Sequence, residues 1–208
     1  MRFPKIAAAA TLASALVLVA GCGSTAPTDV PTTTAPHTPS AQPTPKPTPQ
    51  QATTAPAAEF DATVPPDRPE SLDAGPSEAP ARAAAIYFIS LFPYAFATGD
   101  LDEWRAMSGK SCEYCSGIVG QVESEQAAGK RREGGRIEFL DVTAIELEDE
   151  QYVVGATIKE HEGRLLRADG SVEKDTDYVL DARMELLVSW SERGWLVEGL
   201  EIKWSGKA

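Results

Sequence analysis

The chain of 208 residues carries 31 acidic and 19 basic side chains, which give a formal net charge of −12. A surface this acidic argues against nucleic acid as a partner and against direct adhesion to anionic lipid headgroups. The sequence has no G-x-S-x-G motif, no glycine-rich phosphate loop and no H-E-x-x-H motif. We therefore expect a binding protein rather than an enzyme, and we assign no catalytic residue, no cofactor and no metal.

The N-terminus is typical of a lipoprotein signal sequence. Arg2 and Lys5 precede an apolar run over 6–19, which is too short to span a membrane as a helix. The run leads into the letters VAGC, ending at Cys22, which resemble the lipobox of bacterial lipoproteins. That resemblance implies a signal peptide at 1–21, acyl lipid such as palmitate on Cys22, and a lipid anchor on the outer face of the cytoplasmic membrane. The alternative is an ordinary cleaved signal with a chance cysteine.

A tether is predicted after the anchor. Residues 24–58 contain nine of the 16 prolines, ten threonines and no aromatic residue. Such a segment cannot bury enough apolar surface to offset the entropy lost on ordering. We predict that 22–64 comprises the lipidated cysteine and a disordered tether, which at about 3.1 Å per residue could reach on the order of 100 Å. The remaining 65–208 has the size of a single domain.

Three helices are predicted at the start of this domain. Apolar residues at three- and four-residue spacing predict a helix over 77–99, kinked at Pro93. Asp100 is the candidate N-cap of a short second helix. A third helix is predicted over 111–130. The basic run Lys130–Arg132 then complements the dipole at the C-terminus of that helix.

Strands follow the helices. Alternating apolar residues predict strands over 136–148, 152–158 and 178–190. The apolar face of the first strand changes parity near Asp141, which indicates a bulge. Turns are predicted at 167–171 and, as a four-residue hairpin loop that sets Trp190 opposite Trp195, at 191–194. The order predicts an α+β fold, with N-terminal helices packed on a curved, mostly antiparallel, four- to five-stranded sheet.

Short motifs in the domain support a family resemblance. The stretches PPDRPESLD, ATGDLDEW and CEYC, behind a lipobox and a Thr/Pro tether, resemble an uncharacterised domain of Gram-positive, actinobacterial-type cell-envelope lipoproteins. Aromatic-striped helices followed by long alternating strands are similar to the nuclear-transport-factor-2-like (SnoaL-like) cone fold. The resemblance implies a fold and a location, and hardly any chemistry.

Two of the three cysteines form a C-x-x-C motif, Cys112 and Cys115. If lipid occupies Cys22, an even pair remains in an oxidising compartment, where disulfides persist. We predict a local disulfide that fixes the entry to the third helix. A thiol-disulfide exchanger and a zinc site that also uses His161 are the alternatives.

Cone folds of this class bury a pocket between helices and sheet, and seven side chains are candidates to line one. They are Tyr87, Phe88, Phe92, Trp104, Phe139, Tyr178 and Met184. The alternative is that these side chains simply fill the core. Under the first interpretation, the domain is a non-enzymatic module that docks an envelope protein or captures a small apolar ligand.

An enzymatic alternative depends on carboxylates, because the histidines are badly placed. His37 lies in the tether and His161 at a strand end. Asp141, Asp181 and Glu198 interrupt or flank apolar strand positions, and a buried carboxylate of this kind could serve a hydrolase, isomerase or dehydratase.

The last strand carries Trp195 and Trp204, nine residues apart. They point to opposite faces of the sheet unless a bulge at Gly199 intervenes. If they do, one of them is exposed and available to a partner protein.

Overall fold

The computed structural model describes residues 60–207, the last of them by its backbone alone. The predicted signal peptide, the lipidated Cys22, His37 and nearly all of the tether lie outside the described residues. A short 3₁₀ helix at Glu70–Asp73 leads into the domain. Three α-helices follow: α1 (Glu78–Thr98), α2 (Asp102–Met107) and α3 (Glu113–Ala127).

Seven strands follow the helices within the described residues. They are β1 (Arg131–Gly134), β2 (Ile137–Glu146), β3 (Gln151–Glu160), β4 (Gly163–Leu166), β5 (Val172–Thr176), β6 (Leu180–Ser191) and β7 (Gly194–Lys207). The larger sheet has the order β2-β3-β6-β7, the smaller one has the order β1-β4-β5, and every pairing is antiparallel. The α+β class is confirmed, with two sheets where one was expected.

The boundaries of α1 agree with the sequence pattern. Ser77 occupies the N-cap position, and the helix ends at Gly99. Gly99 adopts a left-handed φ of 79°, and its N–H donates to the Ala95 carbonyl at 2.8 Å. The helix continues through Pro93.

The next two helices begin slightly later than predicted. Leu101 caps α2, although the Asp100 carboxylate still accepts the Asp102 N–H at 3.1 Å. Cys112 caps α3 in place of Ser111.

The predicted C-terminus of the third helix was wrong, because α3 ends at Ala127. Gly129 then turns the chain with a φ of 66°, and the basic run continues into β1, which pairs with β4. Arg131 and Arg132 are therefore strand residues rather than partners of a helix dipole.

Two of the three register shifts in the larger sheet set which side chains face the helices. The first lies between Phe139 and Asp141, where it was predicted. The second lies at Glu198, because Leu187 pairs with Gly199 while Val188 pairs with Val197. This second bulge places Trp195 and Trp204 on the same face of β7 rather than on opposite faces.

The hairpin between β6 and β7 is tighter than predicted. Ser191 pairs with Gly194, so the loop contains two residues rather than four. Trp190 lies directly opposite Trp195, with ring centroids 5.3 Å apart, as the spacing predicted.

The core lies between α1 and what we call the inner face of the larger sheet, the face on which the alternate residues Tyr152 to Ile158 of β3 are buried. Phe88 of α1 stacks on Trp104 of α2 with centroids 4.1 Å apart. Of the described helices, α1 alone has the length and apolar composition of a membrane span, but 56% of that segment is buried inside the domain. This burial is typical of a core helix.

Candidate functional site

A cleft of 480 Å³ opens between α1, α3, the smaller sheet and one end of the larger sheet. We call it the cleft. Its apolar lining is Phe92, Pro93, Phe96, Leu165, Leu180 and Trp204. Its size lies within the range of small-molecule sites, and its wall combines these apolar side chains with a larger number of polar and charged ones.

Aromatic side chains form much of the wall. Phe92 and Phe96 lie one helical turn apart on α1, with ring centroids 4.8 Å apart. On the opposite side, the Glu198 bulge turns Trp204 onto the inner face, opposite the buried Ala182. Trp204 nevertheless remains 50% exposed. It is therefore an apolar surface that the domain itself does not cover.

Glu160 is the acidic group of the cleft that lacks a partner. It continues the inner-face series of β3, two residues beyond the buried Ile158, and pairs across the sheet with Leu180. Within the described residues its carboxylate forms no hydrogen bond and no ion pair. Burial raises the pKa of the Glu160 carboxyl, while the charges of Arg132 and Lys174 oppose this rise.

The two cations beside Glu160, Arg132 and Lys174, differ from each other in their contacts. Arg132, Leu165 and Lys174 form one row across β1, β4 and β5, facing the cleft. Arg132 donates from two nitrogens to the Glu125 carboxylate, at 2.6 and 2.9 Å. The guanidinium of Arg132 also lies 3.5 Å from the centroid of the Phe96 ring. Arg132 is therefore neutralised and fixed, whereas Lys174 is exposed.

His161, at the rim of the cleft, is engaged with neighbours. Its imidazole lies 2.7 Å from a Glu138 oxygen and 2.7 Å from an Arg136 nitrogen. Tyr114, on α3, is substantially buried. Burial and then the negative charge of Glu160 raise the pKa of the Tyr114 hydroxyl to about 12, so this group stays protonated at neutral pH.

Of the seven predicted pocket residues, Phe92 alone lines the cleft. Those buried in the core are Tyr87, Phe88, Trp104 and Met184. Phe139 is half-buried against the core, and Tyr178 lies half-buried in the bend before β6. The cleft thus opens where the aromatic cluster meets the smaller sheet.

The three carboxylates of the enzymatic alternative lie elsewhere, and none of them lines the cleft. Asp141 is exposed beside the first bulge, and Asp181 is half-buried. Glu198 accepts hydrogen bonds from the Ser111 hydroxyl at 2.8 Å and the Ser189 hydroxyl at 3.0 Å. Glu198 therefore braces the bulge of β7 against the entry to α3.

Cys112 and Cys115 form a disulfide at the first turn of α3, and both are buried. The Cys112 sulfur accepts the N–H of Cys115 at 3.2 Å, and the Cys115 carbonyl accepts the indole N–H of Trp104 at 3.1 Å. Within residues 60–207, no group of three or more His, Cys, Asp or Glu residues is arranged to hold a metal ion.

Sequence reasoning missed Glu160, although one signal for it was present. The alternation that buries Tyr152, Val154, Ala156 and Ile158 predicts that the next inner-face residue is Glu160. A carboxylate at the end of such a series marks the point where the core gives way to a polar site.

Solved structures are similar to this one at low sequence identity. The intermembrane space region of the chloroplast protein ARC6 superposes with a TM-score of 0.50 and 14% identity, covering 62% of this chain and 98% of that one. An uncharacterised Caulobacter vibrioides protein with a cystatin-like fold has a TM-score of 0.39 and 10% identity, covering 59% and 88%. A Kribbella flavida protein has a TM-score of 0.39 and 12% identity, covering 62% and 95%.

No curated protein sequence matches the chain. The ARC6 likeness is evidence for the fold alone. A family model does match, over residues 47–201, which is most of the chain. The protein therefore belongs to DUF6318, a family of unknown function.

Proposed function

We propose that this protein is a cell-envelope lipoprotein whose domain binds a small, mostly apolar ligand in the cleft without catalysing a reaction. The observation that carries the proposal is the half-exposed Trp204, which faces a 480 Å³ cleft with an aromatic wall. A concave surface lined by apolar and aromatic side chains together with polar groups is typical of a small-molecule site.

Two charged or titratable groups of the cleft, Arg132 and His161, are poorly placed for acid-base catalysis. Arg132 is neutralised by Glu125, and His161 is held by Glu138 and Arg136. These groups are therefore already committed to neighbours rather than free to move a proton.

The proposed location of the protein, at the membrane, is inferred from the sequence that precedes the domain. We propose that Cys22 carries acyl chains on the outer face of the cytoplasmic membrane of a Gram-positive, actinobacterial-type cell. Each buried CH₂ contributes about 0.8 kcal/mol, and stable anchoring needs two acyl chains or an equivalent second signal. The Pro/Thr-rich tether would then lift the cleft away from the lipid surface.

A fluorescent probe tests the cleft. The complete mature chain, carrying Cys22→Ser so that it stays free of lipid, is titrated with the neutral dye N-phenylnaphthylamine. We expect dye fluorescence to rise on binding and Trp204→Ala to weaken binding several-fold. Ile145→Ala, which alters an exposed apolar side chain of β2 away from the cleft, should leave binding unchanged. Failure of the wild-type chain to bind, or equal binding by both variants, contradicts the proposal.

Metabolic labelling with a palmitate analogue tests the anchor. The wild-type chain should take up label and sediment with membranes, whereas Cys22→Ser should lose both properties. A Cys112→Ala/Cys115→Ala variant is the matched control and should keep the label. Label that persists in Cys22→Ser would contradict lipidation at that residue.

Docking of an envelope protein is the second candidate function. It is favoured by three exposed apolar side chains on or beside the edge strand β2, namely Leu140, Ile145 and Leu147. In-cell crosslinking from Ile145 would recover one specific partner if this edge is a docking surface, and none if it is not.

A further inference from the structure

We infer that the ligand of the cleft carries a cationic head, an amine or a quaternary ammonium, that pairs with the carboxylate of Glu160. The inference rests on the proposed function and specifies the chemical class of the ligand. Its apolar body would lie along Leu180 and Trp204.

The first argument is the position of Glu160. Glu160 is a carboxylate without an ion pair on the inner face, two residues beyond the buried Ile158. A partly desolvated carboxylate without a partner costs free energy, which a cationic ligand can offset. Burial raises the pKa of Glu160, which agrees with this desolvation.

The second argument is that the cations of the protein do not satisfy Glu160. The Arg132 guanidinium is committed to Glu125 and covered on one face by Phe96. Arg164 pairs with Glu133 at 2.9 Å, so it is also engaged. Lys174 remains, but it is exposed and makes no ion pair within the described residues.

The third argument is the distance between the polar and apolar parts of the cleft. Glu160 pairs with Leu180 on the adjacent strand, and Trp204 lies one strand further, opposite Ala182. Strand spacing and rise place the Cα atoms of Glu160 and Trp204 about 12 Å apart. A ligand with a head at Glu160 and an aromatic or aliphatic tail at Trp204 therefore has a body of a few carbons.

An anionic head is the competing possibility, and the arrangement disfavours it. Such a head would find the exposed Lys174 but would also meet the carboxylate of Glu160, which no ion pair neutralises within the described residues. A cation at the same place is attracted by the Glu160 carboxylate instead.

Three probes with the same skeleton test this inference by calorimetry on the Cys22→Ser mature chain. They are phenylbutylamine, phenylbutanol and phenylbutanoate, which are cationic, neutral and anionic at neutral pH. A charge-assisted hydrogen bond predicts that the amine binds about tenfold more tightly than the alcohol. The Glu160→Gln variant should lower amine affinity to that of the alcohol and leave alcohol affinity unchanged.

Two further variants serve as controls. Glu185→Gln removes the same charge from an exposed position outside the cleft and should keep the amine preference. Lys174→Gln removes the remaining cation near Glu160 and should strengthen amine binding, whereas it would weaken binding of an anionic ligand.

The outcomes separate the two proposals. Equal binding of amine and alcohol, a preference for phenylbutanoate, or an amine preference that survives Glu160→Gln overturns the cationic head, while the apolar cleft remains supported. Failure of all three probes to bind overturns the proposed binding function itself, and this inference with it.

Discussion

Two glutamates at opposite ends of the larger sheet are in opposite situations. At the hairpin end, Glu198 accepts hydrogen bonds from Ser111 and Ser189. At the other end, Glu160 has no such partner within the described residues, and the neighbouring Trp204 is half exposed. A half-buried carboxylate with hydrogen-bond partners usually supports structure, whereas one without partners is a candidate contact for a ligand.

The two ends of the larger sheet also differ in packing: aromatic side chains are buried at the hairpin end and partly exposed at the other. Near the hairpin, Trp195 is buried and makes edge contacts with Trp190 and Tyr152, at centroid distances of 5.3 and 5.5 Å. At the open end, the smaller sheet faces Trp204 across the cleft. We therefore expect stability to depend on the closed end and ligand binding on the open end.

The largest expected loss of stability comes from substituting Trp104, and the same substitution at Trp204 is the comparison. Trp104 is 1% exposed, stacks on Phe88 and donates to the Cys115 carbonyl, so Trp104→Ala leaves a large cavity. It should lower the free energy of unfolding by about 3–5 kcal/mol. Trp204→Ala should change stability by less than about 1 kcal/mol, because half of its surface is already in water. Urea denaturation measures both, and equal losses would remove the distinction between the two ends.

The disulfide should have the second-largest effect. Cys112 and Cys115 enclose a very short loop, so the bond removes little entropy from the unfolded chain. The loop-closure relation predicts that Cys112→Ala/Cys115→Ala costs about 2 kcal/mol. Denaturation of the variant beside the chemically reduced wild type measures this cost. A reduction potential above about −300 mV would instead favour the thiol-exchange alternative.

A smaller effect is expected at Glu198. Glu198→Gln keeps the shape of the side chain but weakens two charge-assisted hydrogen bonds, to Ser111 and Ser189. The free energy of unfolding should fall by about 1 kcal/mol. The same substitution in a Ser111→Ala/Ser189→Ala background is the control and should cost markedly less. An equal cost in both backgrounds would show that Glu198 acts through something other than these hydroxyls.

The closed end and the long strands are largely predictable from sequence, whereas the open end is not. Ser77 and Gly99 mark the ends of α1, and the alternation in β3 and β6 is long enough to show which face is buried. β1 and β5 are short, and their letters RREG and VEKDT carry no alternating apolar pattern. Their strand geometry comes from pairing with β4, a tertiary effect that no local window contains.

The cleft cannot be predicted from the sequence either, because the smaller sheet forms one of its walls. Without β1 and β5, Arg132 is assigned to a helix end and Lys174 to no predicted element. The row of side chains that faces Glu160 then cannot be seen. The position of Trp204 is also hard to predict. The Glu198 bulge shifts the register by one residue, and this shift decides which face the indole occupies.

The last prediction concerns Glu160. Replacing Glu198 by Gln should lower the stability of the fold, whereas replacing Glu160 by Gln should raise it at neutral pH. Burial disfavours the ionised carboxylate, so its pKa is higher in the folded than in the unfolded chain. The stability linked to this group is therefore fully present below the unfolded pKa and is lost as the pH rises through the folded pKa. Glu160→Gln should raise the melting temperature slightly at neutral pH, and this gain should disappear in acid.

Thermal melts of wild type, Glu160→Gln and the exposed control Glu185→Gln across the acidic range measure the difference. The charged and titratable groups that face Glu160 are Arg132, Lys174 and Tyr114, and Tyr114 stays protonated throughout this range. Affinity for phenylbutylamine should fall over the same pH window, because only the ionised carboxylate attracts the cation. A Glu160→Gln variant that is less stable than wild type at neutral pH would mean that the carboxylate has a structural partner, as Glu198 has. The contrast between the two ends would then no longer identify a binding site.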